Sequence, residues 1–160
     1  MRKEKPRLGV ILGIPLHLDP SWLLIFVWLS WSLAASYFPE SHPGWAPWLN
    51  WLLGIITSLL FFASVLLHEL GHSLVARAQG IPVRQITLFI FGGAAEITEE
   101  PNSPAEEARL ALAGPLVSLV LGALFMGVYL LTRQTMLPAA SVALYLGGIN
   151  GLRRPDQAEI

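Results

Sequence analysis

Four stretches of this 160-residue chain carry no charged side chain, and they restrict its fold more than any other feature. They are residues 21–38, 45–67, 110–132 and 139–152. A helix needs about 20 apolar residues to cross the ~30 Å hydrocarbon layer of a bilayer. The second and third runs, of 23 residues each, exceed that length; the first has 18 and the fourth 14. Charged residues make up only 13% of the chain, against about a quarter in soluble domains, so much of the surface is not built for water. Five of the six tryptophans lie between Trp22 and Trp48, as suits a membrane interface. The length is enough for one domain, 1–160. With no cysteine, there is no disulfide framework, and any metal must be held by nitrogen and oxygen. A net charge of −1 gives no reason to expect nucleic acid as a partner.

Local signals divide the chain further. Residues 1–9 read as a polar, basic lead-in with Arg2, Lys3, Lys5 and Arg7. The apolar run behind them is too long for a cleaved signal peptide and lacks a small-residue cleavage site. Pro39 to Gly44 break the first run, and Gly80 and Pro82 close the second. Residues 81–97 are rich in β-branched and aromatic side chains, and Gly92-Gly93 offers a tight turn, so a β-hairpin is expected there. Glu99 to Asn102 form a polar connector. Ser103-Pro104-Ala105-Glu106 is a capping box with proline at the first helical position, so a helix should start there. The predicted fold is mainly α: a polytopic membrane protein with about four transmembrane segments near 21–38, 45–80, 108–132 and 139–152. A small β-hairpin follows the second segment.

Charge sets an orientation. With the N-terminus cytoplasmic and four segments, the cytoplasmic side holds Arg2, Lys3, Lys5, Arg7, Arg77, Arg84, Arg109, Arg153 and Arg154. Only Arg133 falls outside. That asymmetry is the positive-inside pattern. It predicts an integral membrane protein with a cytoplasmic N-terminus and residues 68–72 towards the cytoplasmic end of the second segment.

Those residues are His68-Glu69-Leu70-Gly71-His72. Histidines four apart share one helix face, so two imidazoles can meet one Zn²⁺. Glu69 beside them can act as general base on a water whose pKa the zinc has lowered to about 7. Ionisable residues directly behind an uncharged membrane run are costly and mark function. The bland alternative is an interfacial histidine pair with a solvated glutamate. A catalytic zinc takes three protein ligands and one water, so a third ligand is owed. His17, between the basic lead-in and the first segment, and His42, on the outer side, read as ordinary interface or loop residues. Glu96, Glu99 and Glu100 read as turn and connector charges. Asp156 and Glu159 lie in a polar tail behind Arg153-Arg154.

Four stretches together resemble the site-2 protease family of intramembrane zinc metalloproteases, peptidase family M50. They are Gly13-Ile14-Pro15-Leu16-His17 with Pro20-Ser21-Trp22, Val65 to His72, Phe91 to Glu96, and Leu112-Ala113-Gly114-Pro115-Leu116-Val117-Ser118. The resemblance runs from about Leu8 to Leu152. It implies one zinc per chain, held by His68 and His72, with Glu69 as catalytic base. The implied activity is endoproteolysis of membrane-embedded proteins, typically transmembrane substrates with a single span, in or next to the lipid bilayer. Such enzymes carry out regulated intramembrane proteolysis. The family's third ligand is the aspartate of a later Leu-Asp-Gly motif. Here Leu146 to Leu152 look like the approach to it, but Arg153-Arg154-Pro155-Asp156 follows and no Leu-Asp-Gly. The expectation is a domain incomplete at its C-terminus, through truncation or a change of frame. Two rival functions stand beside the protease: a homologue that binds partners without cleaving them, and a zinc carrier. Carriers spread polar ligands over several segments near the midplane, whereas this chain gathers its ligands at one end of one helix.

Two further readings concern the neighbourhood. Pro115 within an apolar helix frees the Ala111 carbonyl and allows a kink, with Gly114 permitting close packing. Ser118 can hydrogen-bond between helices. The hairpin is either cover for the site or an edge strand that holds an extended substrate by main-chain pairing.

Overall fold

The computed structural model describes residues 7–151. Strands β1 (Arg7–Ile11) and β2 (Ile14–Leu18) lead into helix α1 (Ser21–Ser32). A π-helical turn (Leu33–Tyr37) joins α1 to the short α2 (Phe38–Ser41). Helix α3 (Pro47–Ala78), strands β3 (Val83–Phe89) and β4 (Gly92–Ile97), and helices α4 (Pro104–Thr132) and α5 (Leu137–Ile149) follow. The protein is mainly helical. Three helical stretches, Ser21–Ser41, Pro47–Ala78 and Pro104–Thr132, are long and apolar enough to cross a membrane. The fourth apolar run forms a helix of only 13 residues, about 20 Å at 1.5 Å per residue, against ~30 Å of hydrocarbon.

The first stretch runs beyond residue 38 because the helix widens rather than stops. The Phe38 N–H reaches back five residues to the Leu33 carbonyl, the π-helical bond, just before Pro39, which has no N–H to give. Helix α4 begins at the capping box. The Glu106 N–H donates to Ser103 Oγ at 3.3 Å, and the Glu106 carboxylate accepts the Asn102 N–H at 2.9 Å. Large apolar side chains remain exposed along all three long stretches, including Leu24, Trp48, Leu59 and Leu124. A helix facing water would bury such a face; in a bilayer the lipid takes it.

The chain divides into two compact units. One contains residues 7–27 and 65–117, and its centre is a four-stranded sheet in the order β1-β2-β3-β4. Neighbours β1/β2 and β3/β4 are antiparallel, while β2 and β3 run parallel, with Leu16 opposite Ile86 and Leu18 opposite Leu88. Ile14, Leu16, Ile86 and Leu88 form one face, which packs with Leu70 of α3 in a buried cluster. Asp19 extends the pairing by donating its N–H to the Leu88 carbonyl, and its carboxylate accepts the Ser21 N–H at 3.1 Å as α1 starts.

This sheet corrects the sequence reading twice. The polar, basic lead-in read over residues 1–9 gives way at Arg7 to a hairpin over residues 7–18, closed by Leu12 (φ 51°) and Gly13 (φ 80°). Both have left-handed backbone, the geometry of a two-residue turn that matches strand twist. Arg77, in the last turn of α3, donates Nη1–H to the Leu12 carbonyl at 2.5 Å and holds that turn. The second correction is the turn of the later hairpin. It falls at Ile90-Phe91, and Gly92-Gly93 open β4 instead. Gly92 takes φ 128°, and Gly93 lies where a side chain would strike α3.

The other unit contains residues 28–64 and 118–151. Its core is Leu33, Phe38, Leu53, Val142 and Leu146. Gly54 of α3 faces α1 closely: a Cβ there would stand 2.7 Å from the Ser30 carbonyl oxygen. Tyr37 meets Tyr145 edge to face at 4.8 Å. His42 stacks on Trp45 at 3.9 Å, and its Nε2 lies 2.5 Å from Ser141 Oγ. Burial pushes the His42 pKa below its ordinary value.

Candidate metal centre

Helical periodicity turns the five residues from His68 to His72 into an arrangement in space. Each residue advances about 100° around the axis. Leu70 is buried against the sheet at 6% exposure. His68 and His72 are two positions before and after it, so both face away from the sheet, within about 20° of the opposite direction. Glu69 and Gly71 point to either flank. One buried leucine thus aims the other four.

The pair faces α4. Nε2 of His68 and Nε2 of His72 are 3.2 Å apart. The Nδ1 of His72 is 2.7 Å from the Leu110 carbonyl oxygen. A carbonyl only accepts, so Nδ1 carries the proton and donates it. In neutral His72 the lone pair is then on Nε2, turned towards His68. Metal-bound histidines almost always make such a bond with their second nitrogen.

The pair fits zinc. Two Zn–N bonds of about 2.0–2.1 Å at a tetrahedral angle place their nitrogens about 3.3–3.4 Å apart. The observed 3.2 Å is close to that spacing. The space above the pair is kept by Gly114 of α4: a Cβ there would overlap both Nε2 atoms.

Glu69 lies against β4. Its Oε2 accepts the Ala95 N–H at 3.2 Å. A Cβ on Gly93 would sit 2.7 Å from the Glu69 Cγ. Strand β4 therefore both leaves room for the carboxylate and holds one of its oxygens. The other oxygen has capacity to take a proton.

Among the described residues no group of three or more His, Asp or Glu side chains gathers at one point. His17 lies on β2 with a buried Nδ1 that has no hydrogen-bond partner. His42 belongs to the other unit. Glu96 is a strand residue rather than a turn charge and pairs with Arg84 at 3.3 Å, both exposed. Glu99 and Glu100 lie in the exposed connector. Asp156 and Glu159 fall outside the described residues. The sequence reading missed Ala95, whose part is played by a backbone N–H, and the Leu110 carbonyl. Neither leaves a side-chain signal. Gly114 was read for helix packing only.

The model of peptidase family M50 matches residues 56–148. A Synechocystis protein named as a zinc metalloprotease is 48% identical over 148 residues, covering 90% of this chain and 37% of that protein. A Mycobacterium tuberculosis protein named likewise is 37% identical, covering 94% and 38%. The chain thus spans less than two fifths of the length of these relatives. The solved site-2 protease from Methanocaldococcus jannaschii has a TM-score of 0.55 and 28% identity, over 91% of this chain and 63% of that one. With three membrane-length helices, a matched stretch from the second helix into α5 and relatives of this kind, the chain belongs to peptidase family M50, the site-2 protease family.

Proposed function

We propose that the chain is the metal-binding part of a zinc-dependent endoprotease that cleaves membrane-embedded proteins. The observation that carries this reading is the 3.2 Å spacing of the two Nε2 atoms, with Glu69 on the adjoining flank. His68 and His72 would hold one Zn²⁺ per chain. When bound, zinc lowers the pKa of water to about 7 and polarises a carbonyl. Glu69 takes a proton from the attacking water on its carboxylate and delivers it to the leaving amide nitrogen. The Ala95 N–H steadies one carboxylate oxygen while the other moves the proton.

Substrate and membrane arrangement follow from the surroundings. A peptide bond within a helix is shielded, so the substrate must unwind near the site. Strand β4 ends the sheet, and an extended segment pairing along it would run past Glu69, which already touches Ala95. With α5 as a fourth membrane segment and a cytoplasmic N-terminus, nine of the ten basic residues lie inside. Residues 68–72 then sit at the cytoplasmic end of the second segment.

A second reading is a homologue that binds membrane partners without cutting. It is favoured by the absence of a third ligand beside the pair among the described residues. Zinc content of the detergent-purified chain decides between them, measured beside a His68→Ala/His72→Ala variant. About one zinc per chain, lost in the variant, supports the protease site. A Glu69→Gln substitution should then keep the zinc and abolish cleavage of a co-expressed single-span reporter. A well-folded chain without zinc supports the second reading.

A further inference from the structure

We propose that Gly114 is a positioning residue for the imidazole pair. By lacking a side chain, it lets α4 come close enough for the Leu110 carbonyl to hold His72 in a single tautomer. The inference rests on reading that pair as the metal site.

Helix α4 meets α3 at two glycines, one on each helix. A Cβ on Gly71 of α3 would lie 3.1 Å from the Ala113 carbonyl oxygen and 2.8 Å from Val117 Cγ2. A Cβ on Gly114 of α4 would overlap both Nε2 atoms and stand 2.7 Å from His68 Cδ2. The two glycines differ in what they spare. Gly71 spares a backbone oxygen and a valine methyl group. Gly114 spares the two imidazoles themselves.

Leu110 is four residues before Gly114, on the same face of α4. Its carbonyl oxygen has two lone pairs, so it can serve the helix and still accept the His72 Nδ1–H at 2.7 Å. A neutral imidazole has one N–H. Holding it at Nδ1 keeps the Nε2 lone pair for the shared point in front of His68. A methyl group at residue 114 must swing the rings aside or drive α4 back. Either movement breaks the Leu110 bond, and the proton can then return to Nε2 and block the ligand position.

The test uses ¹⁵N-histidine-labelled chain in detergent micelles, metal-free, with His72→Gln to assign the His72 signals. Nitrogen–proton correlation spectra distinguish Nδ1–H from Nε2–H. His72 is expected as Nδ1–H in the wild type and as a mixture in Gly114→Ala. Titration with Co²⁺, read by its visible absorption, is expected to show 10–100-fold weaker binding for Gly114→Ala, the usual cost of losing such a support. A wild-type His72 in the Nε2–H form would overturn the proposal, even if Gly114→Ala fails to fold. So would a folded Gly114→Ala with wild-type tautomer and cobalt affinity. Expected tautomers without any cobalt binding to the wild type would sink the metal reading and leave the positioning role standing.

Discussion

Gly93→Ala separates the catalytic base from the rest of the site. The added Cβ would stand 2.7 Å from the Glu69 Cγ, 3.2 Å from Val65 Cγ1 and 3.3 Å from Leu88 Cδ2. The last two neighbours need give only slightly. Glu69 is 0.7 Å inside the 3.4 Å at which ordinary contact begins. The carboxylate must therefore turn or withdraw, and it leaves the Ala95 N–H that holds it. A misplacement near 1 Å costs on the order of 10²-fold in rate, about 2.7 kcal/mol of barrier at 1.36 kcal/mol per tenfold. Removing the base outright, as in Glu69→Gln, sets the limit at roughly 10²–10⁴-fold. Nothing in the substitution touches the Nε2 pair, so zinc content should stay at the wild-type level. The assay is cleavage of a single-span reporter in proteoliposomes, with zinc measured on the same samples. Cleavage within about twofold of wild type, in a chain that Glu69→Gln inactivates, would refute the clamp of Glu69 by β4. Lost activity accompanied by lost zinc would also refute it, because the change would then have spread to the histidines.

Two other outcomes test the second unit. Gly54→Ala puts a methyl group 2.7 Å from the Ser30 carbonyl oxygen of α1 and 3.3 Å from Ala34 of the π-helical turn. Backbone cannot turn aside, so about 1–3 kcal/mol of overpacking is expected, read as a lower midpoint of unfolding in mixed detergent. His42 is held below its ordinary pKa by burial, so the unfolded chain binds its proton more readily than the folded one. The His42 contribution is complete above about pH 6.5, the ordinary histidine value, and is lost as pH falls below it. Unfolding midpoints at pH 7.5 and 5.5 should therefore draw together in His42→Gln, and an unchanged gap would remove His42 as the cause.

The charge-free runs determined that this chain has membrane-length helices, because each span is a local property of about 20 consecutive residues. The capping box fixed the start of α4, since it works within one turn. The four-residue interval put His68 and His72 on one face for the same reason: helical geometry is local. Only the tertiary structure decided what they face. Residues 14–18, already paired with β1, gain a second ladder from their parallel partner at 86–88, and pairing over that separation leaves little trace in either segment. Gly92-Gly93 suits a tight turn when read locally. In the fold, Gly93 is spent on making room for Glu69, a demand that comes from another element. The supports of the site, the Ala95 N–H and the Leu110 carbonyl, are backbone groups that every residue carries. Sequence shows which side chains can do chemistry, but a backbone donor or acceptor gains its role only from position, and position is set by packing.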